Sequence, residues 1–438
     1  MKQYYSFRFI ATTLIIVGLL SNNSFGQLSN KLNEAIRGET IEKLSKMLSD
    51  SYVYPETGKK MAKQLNDNLK NGKYDNIEEF GQFGASLVND LYEISKDKHL
   101  AIYYSPSQVE DIKKLEMLSE SEKEEHTKKE IENSSKTNFG FENLEILSSN
   151  VGYLKLSRFD MVNSASSETA FTAMKFLANT DAMIIDLREN SGGYPTMVQL
   201  LGSCFYDYQE DENTILFTSH IPSTGEVIPY RVLPGLPVKR MVKTPLYILV
   251  NKNSISAAEI FAYNLQKLGR SIIIGEQTNF GVNGTKGPEI LNDYFIIKLP
   301  FETSINPITK TNCEGVGVIP DIKTEGVDAL DKAMDIIRAK QNEGKHEKES
   351  IAADERYMEY IGEYELNPEI IMTISVQGVQ VFVGVTGRPQ PFEVFPMEKD
   401  KFNIPGFGIE VTFLRENDIV TGLNFSRNGN ENYAKKVK

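Results

Sequence analysis

The sequence predicts an α/β core that follows a helical segment and precedes an all-β segment. A buried strand over Pro245–Val250, an amphipathic helix and a second apolar strand over Ser271–Ile274 form a βαβ pattern. A second buried strand, Met183–Leu187, ends in a turn that contains Gly192 and Gly193. From residue 371 onward, short alternating apolar runs are separated by Gly, Asn and Pro, which is typical of an antiparallel meander or a small barrel.

These patterns divide the chain into segments. Apolar residues at helical spacing predict a small helical domain before the core. The charged run that follows it, an exposed helix or a linker, is too short for a PDZ module. In chain order we expect a signal peptide (1–26), an N-terminal helical domain (27–105), a charged linker (106–137), the α/β core (138–341), a second linker (342–355) and an antiparallel β domain (356–438).

The first 26 residues indicate export. Lys2 and Arg8 precede an apolar stretch, Phe9–Leu20, and small residues follow, which is the pattern of a secretory signal peptide and is too short for a membrane span. No Cys follows it, which argues against a lipid anchor at this site, and no later stretch is long and apolar enough to cross a bilayer. We therefore expect a periplasmic or secreted protein.

The mature chain is expected to be acidic. The formal net charge of the full sequence is -12, and removal of residues 1–26 takes away two basic residues and no acids, which gives -14. This charge argues against nucleic acid as a partner. Cys204 and Cys313 are too few for a disulfide scaffold; they could pair after export, or they could be two buried thiols.

The turn after Val250 holds a candidate nucleophile. Open α/β sheets place their chemistry at the carboxyl ends of strands, and Ser256 lies there beside the small residues Ala257 and Ala258. The start of the following helix offers unpaired N–H groups, such as that of Ala257, that can stabilise an oxyanion. Alternatively, Ser254 or Ser256 simply caps the helix.

The turn at Gly192 and Gly193 offers further N–H groups. Two adjacent glycines permit close approach of a ligand to the backbone, and this is a common way to build an oxyanion hole. The alternative is an ordinary βα turn, which needs no more than one glycine.

Several motifs together resemble the tail-specific protease superfamily. They are DLRENSGG (186–193), the run SISAAEIF (254–261) continued by GR and IIGE, and EGVGVIPDI (314–322), in the order of that family. The superfamily includes C-terminal processing proteases, the tricorn protease core and interphotoreceptor retinoid-binding protein. The resemblance covers roughly Leu28 to Ile337 and implies a crotonase-like (Clp-protease-like) ββα core.

Departures from the family pattern indicate the branch. The C-terminal processing branch uses a Lys base after the Gly-Glu-x-Thr segment, but here that segment, 275–284, contains no Lys. Lys267 lies on the helix and Lys286 falls too late. The tricorn and retinoid-binding-protein branch instead takes a His from an Asp-x-His-Leu signature, which Asp97–Leu100 resembles. The resemblance therefore makes His99 the general base.

The same branch supplies a Glu ahead of a Gly-Val-x-Pro-Asp run, and Glu314 matches that position. It also has a Ser directly before the His, where this chain has Lys98. Whether Glu314 contacts His99 or Ser256 is open at this point. At the other end of the chain, the spacing of Tyr360 and Tyr364 around a Gly resembles lipocalin-like C-terminal domains of some secreted hydrolases.

The resemblance implies an exported serine endopeptidase or carboxy-terminal processing-type peptidase that acts on peptides or unfolded proteins. Its expected catalytic residues are Ser256, His99 and Glu314, with oxyanion donors from Ala257 and from Gly192 or Gly193. No metal or organic cofactor is expected, because the sequence has no HExxH, no CxxC pair and no GxGxxG fingerprint. The alternatives are a non-catalytic lipid- or retinoid-type binding protein on the same fold, and a crotonase-type acyl-CoA enzyme.

Overall fold

A computed structural model describes residues 31–438 apart from residues 212, 325–327, 378–379, 405–406 and 428–429. The expected signal peptide, residues 1–26, lies outside the described residues. The chain divides into two compact units at Met334 and Asp335. The helices are α1 (Glu34–Ser51), α2 (Pro55–Lys70), α3 (Phe80–Ser95), α4 (Pro106–Met117), α5 (Glu120–Ser135), α6 (Ser164–Leu177), α7 (Pro195–Ser203), α8 (Tyr208–Asp211), α9 (Ala257–Lys267) and α10 (Ala329–Tyr357).

The strands belong to two sheets and a barrel. They are β1 (Ala101–Tyr104), β2 (Phe141–Leu147), β3 (Val151–Leu156), β4 (Ala182–Asp186), β5 (Ile215–Ile221), β6 (Glu226–Arg231), β7 (Leu246–Val250), β8 (Ser271–Gly275), β9 (Asn283–Ile290), β10 (Phe295–Ile305), β11 (Ile322–Lys323), β12 (Gly362–Asn367), β13 (Ile370–Gln377), β14 (Gln380–Val385), β15 (Phe392–Glu398), β16 (Lys401–Ile404), β17 (Ile409–Glu416), β18 (Ile419–Arg427) and β19 (Asn430–Lys436).

A six-stranded sheet of order β11-β8-β7-β4-β3-β2 forms the centre of the first unit. Strands β3, β4, β7, β8 and β11 run parallel, and β2 pairs antiparallel with β3. The predicted βαβ unit is confirmed, because β7 and β8 are parallel neighbours joined by α9. Strands β4 and β7 are buried along their whole length, as expected for the middle of a sheet with both faces covered.

A second sheet joins the N-terminal helices to the core. Its order is β1-β10-β5-β6, with β9 also paired to β10, and all pairings are antiparallel. The apolar faces of α1, α2 and α3 pack against β1 and β10 in one buried cluster that includes Leu44, Leu65, Phe83, Phe295 and Ile297. This packing fixes the chain just before β1, where His99 lies.

The segments expected to be linkers are helical. Residues 106–137 contain α4 and α5, and Ser119 begins α5 with a capping box to Glu122. Residues 342–355 belong to α10, and this stretch is rich in Glu, Lys and Ala, which are good helix formers.

The second unit contains a closed barrel of eight strands, β12 to β19, in sequential order. Each strand pairs antiparallel with the next, and β12 pairs with β19 to close the barrel. The alternating pattern read from the sequence is therefore a barrel. Among the described residues, no helix is long and apolar enough to cross a membrane.

Candidate active site

The two serines in the turn between β7 and α9, Ser254 and Ser256, have different environments. Ser254 is fully buried; its hydroxyl donates to the Leu187 carbonyl at 2.8 Å and accepts from the Asn251 N–H at 3.0 Å. Ser256 is partly exposed and begins α9 with φ +55° and ψ −109°. A non-glycine residue with positive φ is uncommon, and such strain is concentrated at functional sites. Ser254 therefore shapes the turn, and Ser256 is the serine that the turn presents.

Glu259, one turn into α9, holds this strained turn against a neighbouring loop. Its carboxylate accepts from the Ser256 N–H at 3.0 Å, and it is completely buried. It also accepts from the Thr278 hydroxyl at 2.6 Å and from the N–H groups of Phe280 and Gly281 at 3.2 and 2.6 Å. Burial raises the pKa of Glu259, and these hydrogen bonds oppose the shift. Through these hydrogen bonds Glu259 links the Ser256 turn to residues 278–283, which we call the 278–283 loop.

The turn after β4 is tied to the Ser256 turn by Asn190. Its side chain donates to the Leu156 carbonyl at 2.7 Å and accepts from the Gly192 N–H at 2.9 Å. Its carbonyl accepts from the Ile255 N–H at 2.9 Å. Asn190 therefore fixes the two strand-end turns in one arrangement.

Gly192 and Gly193 both need to be glycines. Both have positive φ, +84° and +134°. A Cβ on Gly192 would lie 2.9 Å from the Ser256 Cβ, and one on Gly193 would lie 2.0 Å from the Phe159 carbonyl oxygen. The Gly192 N–H is bound to Asn190. Within the described residues, the N–H groups of Gly193 and Ala257 have no hydrogen-bond acceptor.

His99 follows the end of α3 and precedes β1. Its side chain is 10% exposed, its Nδ1 lies 3.5 Å from Asp97 Oδ1, and its ring packs edge-on against Phe280 at 4.5 Å. Neither ring nitrogen has a hydrogen-bond partner among the described residues. Buried polar atoms are nearly always paired, so an unpaired buried imidazole calls for a functional explanation.

Asp97 fixes the backbone around this imidazole. Its Oδ1 accepts from the His99 N–H at 2.9 Å, and its Oδ2 accepts from the Tyr52 hydroxyl at 3.1 Å and the Asn283 amide at 2.9 Å. Burial alone would raise the pKa of Asp97, but the adjacent His99 imidazole and the hydrogen bonds from the Asn283 amide and the His99 backbone N–H outweigh it, so the pKa lies below its usual value.

Glu314 lies beside His99 and Asp97. A carboxylate oxygen of Asp97, a ring nitrogen of His99 and a carboxylate oxygen of Glu314 all lie within 4.8 Å of one another. Glu314 Oε2 also accepts from the N–H groups of Val282 and Asn283 at 2.7 and 3.2 Å. Burial and the nearby charge of Asp97 raise the pKa of Glu314 to about 7. Glu314 therefore lies near His99, one of the two partners that the sequence left open.

The 278–283 loop connects these groups. Glu259 binds its Phe280 and Gly281 N–H groups, and Glu314 binds the next two, Val282 and Asn283. The Gly281 α-carbon packs directly on the Glu314 carboxylate, since a Cβ there would lie 2.4 Å from Oε2. The serine turn and the histidine cluster are therefore attached to consecutive residues of one loop.

The three lysines named in the sequence analysis, Lys98, Lys267 and Lys286, each contact another group. Lys98 is exposed and donates to the Asn279 carbonyl at 2.6 Å. The ammonium groups of Lys267 and Lys286 lie over the rings of Tyr263 and Phe301, at 5.5 and 4.9 Å from the ring centroids.

Sequence reasoning overlooked three site residues: Glu259, Asp97 and Asn190. Glu259 could have been found from its position three residues after Ser256, the spacing of a capping box. Asp97 was part of the Asp-x-His-Leu signature but received no role. Asn190 carries no local signal, because its partners Leu156 and Ile255 come from distant parts of the chain.

The two cysteines do not form a disulfide. Cys204 and Cys313 are both buried free thiols, and burial raises the pKa of each above its ordinary value. They are therefore core side chains, although Cys313 is adjacent to Glu314.

Two family models match the chain. One is described as peptidase family S41 and covers residues 150–324; the other is the N-terminal domain of this peptidase in eukaryotic IRBP and covers residues 29–139. These segments contain Ser256, His99 and Glu314.

Curated proteins are also similar to the chain. The chain is 30% identical over 181 residues to carboxyl-terminal-processing peptidase 3, chloroplastic, of Arabidopsis thaliana, covering 41% of this chain and 33% of that protein. It is 27% identical over 186 residues to the carboxy-terminal-processing protease of Bartonella bacilliformis, covering 40% of this chain and 39% of that protein. The matched region thus spans about a third of the length of these relatives.

Among solved structures, the photosystem II D1 C-terminal processing protease is similar with a TM-score of 0.43 and 15% identity, over 66% of this chain and 93% of that one. Because both family models match the chain and the curated relatives are carboxyl-terminal-processing peptidases, the chain belongs to the tail-specific protease superfamily, in peptidase family S41.

Proposed function

We propose that this protein is an exported serine peptidase in which Ser256 is the nucleophile and His99 the general base. The observation that carries the proposal is the 278–283 loop. It binds the Ser256 turn through Glu259 and the His99 cluster through Glu314 and Asp97. A nucleophile needs a nearby base that is itself oriented by a third group, and the loop connects the elements of such an arrangement.

In this mechanism Ser256 Oγ attacks the peptide carbonyl while His99 Nε2 takes its proton. Asp97, next to Nδ1, favours the tautomer that leaves Nε2 free to accept. The Asp97 carboxylate stabilises the imidazolium that forms, and Glu314 adds to this when it is ionised, above its pKa of about 7. His99 then gives the proton to the leaving amine, and a water molecule, deprotonated by His99, releases the acyl group from Ser256.

The oxyanion is assigned to two backbone N–H groups. Ala257 N–H at the start of α9 is one donor, supported by the helix dipole. Gly193 is the better second donor of the two glycines, because the Gly192 N–H is already bound to Asn190. The role of Gly192 is then to let the backbone lie against the Ser256 side chain.

The substrates we propose are peptides or unfolded proteins, in keeping with the names of the relatives. A lipid- or retinoid-type binding protein would not require a strained Ser256 beside a free Ala257 N–H, so this alternative is not favoured. The parallel sheet with α6, α7 and α9 supports a crotonase-like core, which superposition of an experimental structure on that fold would test.

The nucleophile is tested with Ser256→Ala and Ser254→Ala. We expect Ser256→Ala to lose peptide cleavage by several orders of magnitude and to lose labelling by an active-site-directed serine reagent. Ser254→Ala should stay active but unfold more easily, by about 1–2 kcal/mol, because it removes a buried hydrogen bond to Leu187. Peptide mapping should place the label on Ser256. An inactive, folded Ser254→Ala variant alongside an active Ser256→Ala variant would refute the assignment.

The base is tested on the same substrate with His99→Ala, Lys98→Ala and Lys286→Ala. Only His99→Ala should abolish cleavage. Because Asp97, His99 and Glu314 are also a possible donor set for a divalent ion, each assay includes a chelator, which should leave the wild-type rate unchanged. Loss of activity in either Lys variant with retention in His99→Ala would restore a Ser–Lys mechanism.

Export is inferred from residues 1–26. N-terminal sequencing of the mature protein should begin at or near Gln27. A mature chain that retains Met1 would contradict it.

A further inference from the structure

The two ends of the C-terminal barrel differ in how they are filled. Because β12 to β19 are consecutive and antiparallel, the last residues of β12, β14, β16 and β18 lie at the same end of the barrel as the first residues of β13, β15, β17 and β19. We call this the open end. The opposite ends of the same strands form the other end, called the closed end.

Aromatic side chains and an ion-pair network fill the closed end. Tyr360 stacks on Phe413 with ring centroids 4.4 Å apart, and Phe402 packs edge-on against both at 5.5 Å. The Tyr360 hydroxyl donates to Asp400 at 2.7 Å, and Asp400 also accepts from Arg415 at 2.7 Å. This half of the barrel is a packed core.

The open end instead holds a partly open cavity of about 230 Å³. Its ten lining side chains are all apolar, and each lies in the half of its strand nearest the open end. They are Leu366, Ile370, Met372, Val383, Val385, Phe392, Ile404, Ile409, Val411 and Phe425. Protein interiors leave few voids larger than a water molecule, so a cavity of this size with a uniform lining needs an explanation.

We propose that the open end of the barrel binds a free medium-chain carboxylate, with its alkyl chain in the cavity and its carboxylate at Arg388. An apolar cavity of 150 Å³ accommodates benzene, so 230 Å³ corresponds to about nine carbon atoms. A peptide backbone is a poor occupant, because its N–H and C=O groups would find no partners among these side chains. A single Leu or Val side chain would leave much of the space empty, and a two-chain phospholipid is too large.

Arg388 supplies the charge for the head group. It lies exposed in the turn between β14 and β15, and its guanidinium is 4.8 Å from the centroid of the Phe392 ring, which lines the cavity. Among the described residues, no acidic side chain pairs with it. Phe407, 46% exposed, packs edge-on against Phe392 at 5.2 Å and extends the apolar surface at the same end.

The test is calorimetric titration of the full chain with hexanoate, octanoate, decanoate and dodecanoate. Each added methylene should tighten binding about fourfold until the cavity is full, at about nine carbons, and little thereafter. Binding should show a negative heat-capacity change. Absence of binding, or affinity that keeps rising past dodecanoate as for adsorption to a surface, would overturn the proposal.

Two variants, each with a matched control variant, locate the site. Val385→Trp fills the cavity and should abolish decanoate binding, while Ile419→Trp places the same side chain on an exposed position at the closed end and should not. Arg388→Gln should weaken decanoate about two- to fivefold and leave 1-decanol unchanged, and Lys399→Gln at the closed end should change neither. Unchanged decanoate binding by a folded Val385→Trp protein, or equal effects of Arg388→Gln on decanoate and decanol, would refute the respective part of the assignment.

Discussion

Replacement of Glu314 by Gln should change how the stability of the core depends on pH. The pKa of Glu314 is raised from 4.5 to about 7, first by burial and then by the charge of Asp97. Between these two values the folded protein keeps a proton that the unfolded chain has lost. The free energy of unfolding therefore falls as pH rises through this window, and the contribution of Glu314 is most favourable below it.

The size of the effect follows from the shift. One pKa unit corresponds to about 1.4 kcal/mol, so a carboxyl shifted from 4.5 to about 7 makes the wild type lose about 2 kcal/mol between pH 5 and 8, allowing for partial exposure. Glu314→Gln has no proton to lose, and its side-chain oxygen can still accept from Val282 and Asn283. The variant should therefore be the more stable protein at pH 8, with a flatter profile.

The assay is urea unfolding followed by circular dichroism at pH 5, 6, 7 and 8. Exposed Glu145→Gln, on β2, is the matched control and should follow the wild-type profile. The reasoning is refuted if wild type and Glu314→Gln have parallel pH profiles, because Glu314 would then titrate alike in the folded and unfolded states. Peptide cleavage measured in parallel shows whether the added stability is accompanied by a loss of activity, as expected for a strained catalytic site.

Two further outcomes are expected. Gly193→Ala should lose most activity and at least about 2 kcal/mol of stability, because its Cβ would lie 2.0 Å from the Phe159 carbonyl oxygen. Gly225→Ala, with positive φ but open space around it, should lose about 1 kcal/mol of stability and no activity. Thermal unfolding measures the stability and peptide cleavage the activity, and equal losses in the two variants would contradict this. A chain ending at Glu347 should fold and cleave a short peptide, since the chain divides into two compact units near Met334. Its cleavage of an unfolded protein should differ from that of the full chain. A folded truncation that cannot cleave the short peptide would show that the barrel completes the active site.

Features that depend on neighbouring residues were predictable from the sequence. The apolar run of β7, the helical spacing in α9 and the apolar run of β8 predicted the βαβ unit that the structure contains. The alternation after residue 371 likewise predicted the antiparallel strands of the barrel. The extent of α10 was not predicted, because a run of Glu and Lys suits an exposed helix as well as a linker.

Partners from distant parts of the chain were not predictable in this way. The side chains of Asp97 and Asn283 are hydrogen-bonded although 186 positions separate them, and Glu259 accepts from the 278–283 loop as well as from its own helix. Nothing local distinguishes Asn190 from any other polar turn residue. These hydrogen bonds depend on the pairing of β10 with β1 and on the position of the 278–283 loop beside the start of α9.

The sequence by itself determined the family, the order of helical, α/β and all-β segments, and the serine, histidine and glutamate that the family motifs contain, because periodicity and motifs are properties of adjacent residues. The tertiary structure decided which groups meet. It placed Glu314 beside His99, joined the serine turn to that cluster through Glu259, and left an apolar cavity in one half of the barrel. These outcomes depend on packing between segments far apart in the chain, where burial and long-range strand pairing, rather than local preference, set the geometry.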